Sequence, residues 1–217
     1  MSRNASLYGP EQSGFARFLE RREQRRPDLV ARELRRRLLS GLRGRVIEVG
    51  AGDGRGFEFY PERVTSVLAV EPDATARAAA EERARAARVP IEVVDGVAES
   101  LPAEDAAFDA AVVMGVLCSV PDPAAALAEL RRVLIPRGEL RFWEHVRSRN
   151  APFRQLQRAA DALFWTRALG GCETTRDTES AIRRGGFELI AVDRGFHSSS
   201  VLTITSAPYV LGVARAT

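Results

Sequence analysis

A short apolar run, Val46-Ile47-Glu48-Val49, passes directly into Gly50-Ala51-Gly52-Asp53-Gly54-Arg55-Gly56, and no other stretch constrains the fold as tightly. An apolar run closed by glycines reads as a buried strand that must turn sharply, because glycine enters the left-handed backbone region without steric cost. Glycines also let a ligand approach the main chain closely, as α/β proteins do at the mouths of their strands. The pattern here is acid-x-Gly-x-Gly-x-Gly from Glu48 to Gly54, whereas pyrophosphate-binding turns follow G-x-G-x-x-G. A carboxylate at Glu48 repels a pyrophosphate and suits a ligand that bears positive charge. The competing reading is a tight strand-to-helix turn with no ligand.

The rest of the chain supports a strand reading of this segment. Periodicity predicts strands at 45–49, 66–70, 91–94, 109–114 and 139–144, with helices at 74–88 and 123–134 between them. Beyond these come helices at 153–168 and 177–184, the second ended by Gly185-Gly186, and strand-like runs at 187–193 and 209–215. The runs Val67-Leu68-Ala69-Val70 and Ala110-Ala111-Val112-Val113 are apolar on both faces, as parallel strands covered by helices are. An α/β fold with a mostly parallel sheet is expected. Residues 11–40 read as two helices separated by Pro27, with Phe15, Phe18, Leu19, Leu29, Val30, Leu34 and Leu38 at helical spacing.

Composition narrows the function classes. The 217 residues are 45% hydrophobic and 28% charged, which excludes a disordered, collagen-like or disulfide-stapled chain. The net charge is only +3, with 29 acidic residues interspersed among 32 basic ones that are all arginine, so no nucleic-acid partner is expected. The densest basic stretch, Arg21 to Arg37, is either a solvated helix face or a surface for an anionic ligand or membrane. Two cysteines, Cys118 and Cys172, occur without a CxxC or a Cys/His cluster at metal-ligand spacing. No metal is therefore expected, and a reducing compartment fits. The N-terminus lacks an apolar signal-type segment, and no run approaches the ~18 apolar residues of a membrane span, so a soluble cytoplasmic protein is expected.

Further candidate residues follow the predicted strands. Glu71-Pro72-Asp73 places an acid at a strand's C-terminal end about 20 residues beyond the glycine turn, where a carboxylate can accept ribose hydroxyls. The third strand leads into Asp95-Gly96-Val97-Ala98-Glu99-Ser100-Leu101-Pro102, and the fourth ends at Met114-Gly115. In an open α/β sheet these segments converge on one ligand-bearing edge.

On these residues the chain, over about 40–145, resembles the class I S-adenosylmethionine-dependent methyltransferases of the type 11 group, which includes quinone-biosynthesis and other small-molecule enzymes. The resemblance implies a Rossmann-like fold: a seven-stranded, mostly parallel sheet with an antiparallel edge strand and helices on both faces. It implies S-adenosylmethionine as cofactor and S-adenosylhomocysteine as product. Glu48, Gly50, Ala51, Gly52 and Gly54 would surround the methionine portion, Glu71 and Pro72 the ribose, Val97 and Ala98 the adenine, and Met114 the amino group. Many relatives carry an acid where Val97 stands; here the backbone of Val97 and Ala98, or Asp95, would replace it.

A narrower resemblance rests on Gly56-Phe57-Glu58-Phe59-Tyr60-Pro61, Val116-Leu117-Cys118-Ser119-Val120, Phe142-Trp143-Glu144-His145-Val146, Gly171-Cys172-Glu173-Thr174-Thr175-Arg176-Asp177-Thr178 and Ala207-Pro208-Tyr209-Val210-Leu211-Gly212. In order and spacing, over roughly 40–215, these are similar to the animal thiol S-methyltransferases of the endoplasmic reticulum and lipid droplets. This implies S-methylation of small thiols. In place of that family's N-terminal membrane anchor stand arginine-rich helices, so no membrane anchoring is expected.

On the acceptor side, His145 follows a predicted strand and so emerges at the ligand-bearing edge. It reads either as a base or acceptor orienter, or as a structural histidine near Glu144. Cys118 either lines the acceptor pocket or fills the core, and Thr174 to Thr178 either cap the next helix or touch substrate. His197 reads as a solvent-exposed loop residue. The apolar segment with Phe153, Leu156, Leu163, Phe164, Trp165 and Leu169 either roofs the site or packs in the core. The expected organisation is an N-terminal helical lid, 1–43, that includes Tyr8, and a methyltransferase domain, 44–217, with a helical insertion at about 151–170. The expected partner is a small-molecule acceptor. The competing functions are O- or N-methylation of a specialised metabolite, quinone or lipid, and cofactor binding without catalysis.

Overall fold

A computed structural model describes residues 28–166, 171–199 and 201–217; the first expected helix, before Pro27, and Tyr8 lie outside the described residues. Helix α1 (Leu29–Leu39) begins at Asp28, whose side chain accepts from the Val30 and Ala31 amides. Ala31, Leu34, Leu38 and Leu39, spaced by three and four, face the sheet and are buried, while Leu29 and Val30 stay exposed. Three of the four arginines of this helix form exposed pairs, Arg32 with Glu58, Arg36 with Glu33 and Arg37 with Asp193, while Arg35 is half-buried over the Trp143 ring at 5.5 Å. Arg32, Arg36 and Arg37 thus lie on a solvated face, where screening by water leaves such pairs little stabilising effect.

Strands β1 (Gly44–Val49), β2 (Val64–Val70), β3 (Ile91–Val94), β4 (Phe108–Met114), β5 (Leu134–His145), β6 (Phe187–Phe196) and β7 (Pro208–Ala216) form one sheet in the order β3-β2-β1-β4-β5-β7-β6. Pairings among β1 to β5 are parallel, and β7 runs antiparallel to both β5 and β6. The reversed strand of the edge hairpin is therefore β7, second from the edge. Helices α2 (Ala74–Arg85), α3 (Pro123–Val133), α4 (Ala151–Ala160) and α5 (Thr178–Arg184) complete the fold.

Because successive strand residues face opposite sides, the sheet separates two cores. Ile47, Val49, Val113 and Phe142 pack with Leu127 and Leu130 of α3 and Ile182 of α5. Val46, Val67 and Val112 pack with Leu34 and Leu38 of α1 and Ala80 of α2. Both faces of the sheet's centre are covered, which is why those strands read as unbroken apolar runs.

Several boundaries differ from the sequence reading, β2 beginning at Val64 and α2 ending at Arg85 among them, and three further differences have visible causes. Strand β5 begins at Leu134, before the expected 139, with its register against β4 shifted between Phe108 and Ala110 and Arg137 at φ 64°. Strand β6 extends to Phe196 because its pairing with β7 continues through Phe196 to Pro208. The expected helix 153–168 begins at Ala151, capped by Asn150 at the Phe153 amide, and passes at Asp161–Trp165 into a wide π-helical turn. Among the described residues no helix is long and apolar enough to cross a membrane.

Candidate active site

The turn after β1 takes the conformation its glycines permit. Gly50, Gly52 and Gly54 have φ of 68°, 57° and 78°, and the Gly50 and Ala51 amides donate to the Val70 carbonyl at 2.8 and 3.2 Å. A Cβ on Gly50 would lie 2.5 Å from Val116 Cγ2, so this glycine admits the loop after β4. A Cβ on Gly52 would meet nothing within 4 Å, which leaves open space against the main chain.

Two buried acids flank that space. Glu48 is 1% exposed, and Tyr60 Oη donates to its Oε2 at 2.7 Å. Burial pushes its carboxyl up to about 7, against the lowering effects of the Tyr60 hydrogen bond and the Arg35 charge. A Cβ on Gly56 would lie 3.1 Å from both Glu48 Oε1 and Met114 Cε, so these three residues meet at one point beside the turn. Glu71 accepts from the Gly52 amide at 2.8 Å through Oε2 and from the Asp73 amide at 3.0 Å through Oε1, tying the glycine turn to the end of β2. Burial also raises its pKa, although these two amides oppose the shift. Each oxygen retains a second acceptor position for a ligand hydroxyl.

At the third strand, Ala98 is buried and Val97 half-buried, with Val97 bridged to Ser100. Asp95 is mostly exposed and paired with Arg77 at 2.9 Å, which leaves the backbone of Val97 and Ala98 as the edge nearest the core. Helix α1 borders the opposite side: Asp28, Arg32 and Arg35 share a cleft with Gly54, Arg55 and Phe57. A larger cleft runs between α3 and α5 and shares no residue with the glycine turn or its acids.

The acceptor side holds a cluster that linear spacing did not reveal. Cys172 Sγ lies 3.6 Å from Cys118 Sγ and 3.5 Å from His145 Nδ1, and Cys118 Sγ lies 3.8 Å from the same nitrogen. Both cysteines are free and buried, while His145 is half-buried. The hydrogen bond from the Cys172 thiol draws Cys118 below the ordinary thiol range and pushes Cys172 above it. The near-central placement of β5 and the return of the chain past α4 bring together residues that stand 27 apart in each step.

The contacts that build this corner were not read from the sequence, although several of the residues stand in the strings quoted above. Glu144 is fully buried and accepts from the Val116 and Cys118 amides, each at 3.0 Å. It therefore fixes the loop after β4, while His145, its neighbour along the strand, contacts the two cysteines. Burial, followed by the Cys118 charge, pushes Glu144 well above the carboxylate range. Arg176 donates to the Leu117 and Val120 carbonyls at 2.9 and 2.7 Å, and the Glu173 amide donates to the Cys118 carbonyl at 2.8 Å. Asp161, on the π-helical turn, accepts from the amides and hydroxyls of Thr174 and Thr175 at 2.9 to 3.2 Å. The helix cap expected in this segment is Asp177, which accepts from Ser180. His197 is held by Asp28 at 2.7 Å and is not a free loop residue.

The expected roof segment is divided between core and surface. Trp165 is buried, Phe153 packs edge-on against Phe196 at 5.5 Å, and Leu163 is 74% exposed. Leu169 and the side chain of Phe164 lie outside the described residues.

Comparison with known proteins agrees with the fold. A family profile described as "Methyltransferase domain" matches residues 47–142. Mouse thiol S-methyltransferase TMT1B is 30% identical over 188 residues, covering 82% of this chain and 76% of that protein. Demethylmenaquinone methyltransferase of Renibacterium salmoninarum is 34% identical over 112 residues, covering 52% of this chain and 46% of that protein. Among solved structures, a Thermotoga maritima S-adenosylmethionine-dependent methyltransferase, described as a possible histamine N-methyltransferase, superposes with a TM-score of 0.66 at 25% identity, covering 93% of this chain and 97% of that one.

Proposed function

The chain belongs to the class I S-adenosylmethionine-dependent methyltransferases, and from that premise we propose that it methylates the sulfur of a small-molecule thiol. S-adenosylmethionine is the cofactor, and the residues fit it: a buried carboxylate at Glu48 that a cationic ligand would hold ionised, a second at Glu71 with acceptor positions left, and open space at Gly52. Glu48, Gly50, Ala51, Gly52, Gly54 and Met114 would hold its methionine portion, Glu71 and Pro72 its ribose, and Val97 and Ala98 its adenine. When bound, it supplies a methyl group on a positively charged sulfur, a leaving group that needs no protonation.

The chain's own residues then orient the acceptor and exclude water. The carrying observation is the cluster of His145, Cys118 and Cys172 behind the loop that packs Val116 against Gly50. A site walled by two buried sulfurs and an imidazole offers few donors to an alcohol and suits a polarisable sulfur. A free thiol with pKa near 8.5 is already partly thiolate at neutral pH, so placing it in line contributes more than a strong base. His145, the half-buried member, orients the acceptor, and Cys118 lines the pocket. The similarity to TMT1B supports the same reading.

Residues 1–43 act as an N-terminal lid on the domain 44–217, with 151–170 as its helical insertion. The cleft shared by α1 and Gly54, and the bonds from Asp161 to the Cys172 loop, support this organisation. Two cysteines kept as thiols fit a cytoplasmic enzyme.

The test is release of S-adenosylhomocysteine with small alkyl thiols and with alcohols, phenols and amines of matching skeleton. Turnover with thiols supports the proposal. Turnover only with the oxygen or nitrogen acceptors replaces it with the O- or N-methyltransferase reading, and tight cofactor binding without turnover on any acceptor overturns both.

A further inference from the structure

We propose that Cys118, Cys172 and His145 form a site for a divalent cation of the zinc class, whose fourth coordination position takes the sulfur of the acceptor. The second half of this rests on the thiol reading above; the first half stands on geometry alone. Around zinc, with metal–sulfur bonds near 2.3 Å and metal–nitrogen bonds near 2.0–2.1 Å, a tetrahedron has edges of about 3.8 Å between sulfurs and about 3.5–3.6 Å between sulfur and nitrogen. The corresponding separations here are 3.6 Å for the two sulfurs, and 3.5 and 3.8 Å from the sulfurs to Nδ1. All three potential ligand atoms lie within 4.8 Å of one another. Two thiolates and one imidazole form a donor set of the softness that selects zinc over magnesium or calcium.

The surrounding chain holds these three groups without help from a metal. The main chain at Cys118 is fixed from both sides, its amide on Glu144 and its carbonyl on the Glu173 amide, and Arg176 closes the Cys172 loop over it. Gly171, at φ 86°, packs so closely on the Ser119 carbonyl that an added Cβ would lie 2.6 Å from the oxygen. A preformed three-ligand site keeps its fourth position for a reactant, as catalytic zinc sites do, whereas structural sites take four protein ligands. Both sulfurs are buried and His145 is half-buried, so the fourth ligand enters beside His145 at the strand ends.

The chemistry balances. On metal binding the two cysteine thiols release their protons to solvent. An acceptor thiol that then coordinates releases its own proton to solvent and remains a thiolate. It keeps a sulfur lone pair that would form the bond to the methyl carbon as that carbon's bond to the sulfonium of S-adenosylmethionine breaks and neutral S-adenosylhomocysteine leaves, and no oxidant or reductant is required.

Cobalt(II) titration of the reduced protein, without S-adenosylmethionine or acceptor, tests the site, after a thiol assay confirms that both cysteines are free. The expected result is one equivalent bound, with tetrahedral visible bands and thiolate-to-cobalt charge transfer that zinc abolishes by displacement. A small alkyl thiol should intensify the charge transfer, and the alcohol of the same skeleton should not. Cys118→Ser and Cys172→Ser should each weaken binding by more than the roughly 10–100-fold that loss of a supporting partner costs. Calorimetric S-adenosylmethionine binding confirms that each variant is folded. Substoichiometric binding, a non-tetrahedral spectrum, or a spectrum retained in Cys118→Ser would overturn the site; a spectrum indifferent to thiol would overturn the open position. Thiol methylation by chelator-treated protein would contradict the metal while leaving the thiol reading intact. A complete cobalt spectrum with no turnover on any thiol would do the reverse.

Discussion

Glu48 and Glu71 are both buried beside the same turn, yet their partners differ, and that difference gives each a separate test. Glu71 accepts two backbone amides and has lone pairs to spare, so its truncation removes ligand hydrogen bonds and loosens the turn. Hydrogen bonds to a charged group contribute about 1.5–3 kcal/mol each, so Glu71→Ala should weaken S-adenosylmethionine binding by roughly 10–100-fold. Unchanged affinity by calorimetry would remove Glu71 from the ribose.

Glu48 should show itself through pH. Its carboxyl is pushed up to about 7, and a cationic ligand favours the ionised form, so cofactor affinity should rise as pH increases through about 7. In the cofactor-free protein the sign reverses. Between the ordinary 4.5 and about 7 the folded state retains a proton that the unfolded state has shed, so stability falls as pH rises across that window. The expected slope approaches about 1.4 kcal/mol per pH unit. Glu48→Gln should flatten both profiles, and a variant as pH-dependent as the native protein would contradict the assignment. The glycines and these two acids were legible because their roles follow from position at a strand end. The contacts of Glu144, Gln157 and Asp161 were not, because they are made to loop amides and carbonyls that only the tertiary fold brings near.

At the scale of elements, the turn after β1 separates strain from occupancy. Alanine at a left-handed glycine costs about 1–2 kcal/mol, and for a chain of this length each kcal/mol lowers Tm by about 2–4 °C. Gly52→Ala should incur only that cost, because its Cβ meets nothing, yet it should lose cofactor affinity by filling the space left against the main chain. Gly50→Ala adds a 2.5 Å clash with Val116 and should melt lower still. Thermal melts paired with calorimetry check the order, and equal losses in both variants would show that Gly52 does not face the ligand. The alternation of β1, β2 and β4 with helices could be read because those strands are apolar on both faces. The break of α4 into a π-helical turn could not, since the apolar spacing continues through Leu163 and Trp165; what fixes it is Asp161 turned toward Thr174 and Thr175.

At the scale of the molecule, the acceptor corner exists only because distant segments converge. Gln157 is fully buried and shows the dependence: its Nε2 donates to the carbonyls of Val146, Thr174 and Thr205, and its Oε1 accepts from the Ser148 amide. Gln157→Leu leaves these groups unpaired at about 1–3 kcal/mol each, so a loss of at least about 3 kcal/mol on denaturant unfolding is expected. A change below about 0.5 kcal/mol would show that the corner is held by other contacts. The seven-stranded sheet was anticipated from alternation and resemblance together. The meeting of Cys118, His145 and Cys172 was not, because no local pattern encodes a contact made through β5 and the return past α4.

Transfer to sulfur can be tested by one competition. The protein, S-adenosylmethionine labelled on its methyl group, and equimolar thiol, alcohol, phenol and amine of one carbon skeleton would be mixed, and the products resolved by mass. The label is expected on the thioether. Label on oxygen or nitrogen with the thiol unmodified would contradict the account of the acceptor site while leaving the fold and cofactor in place.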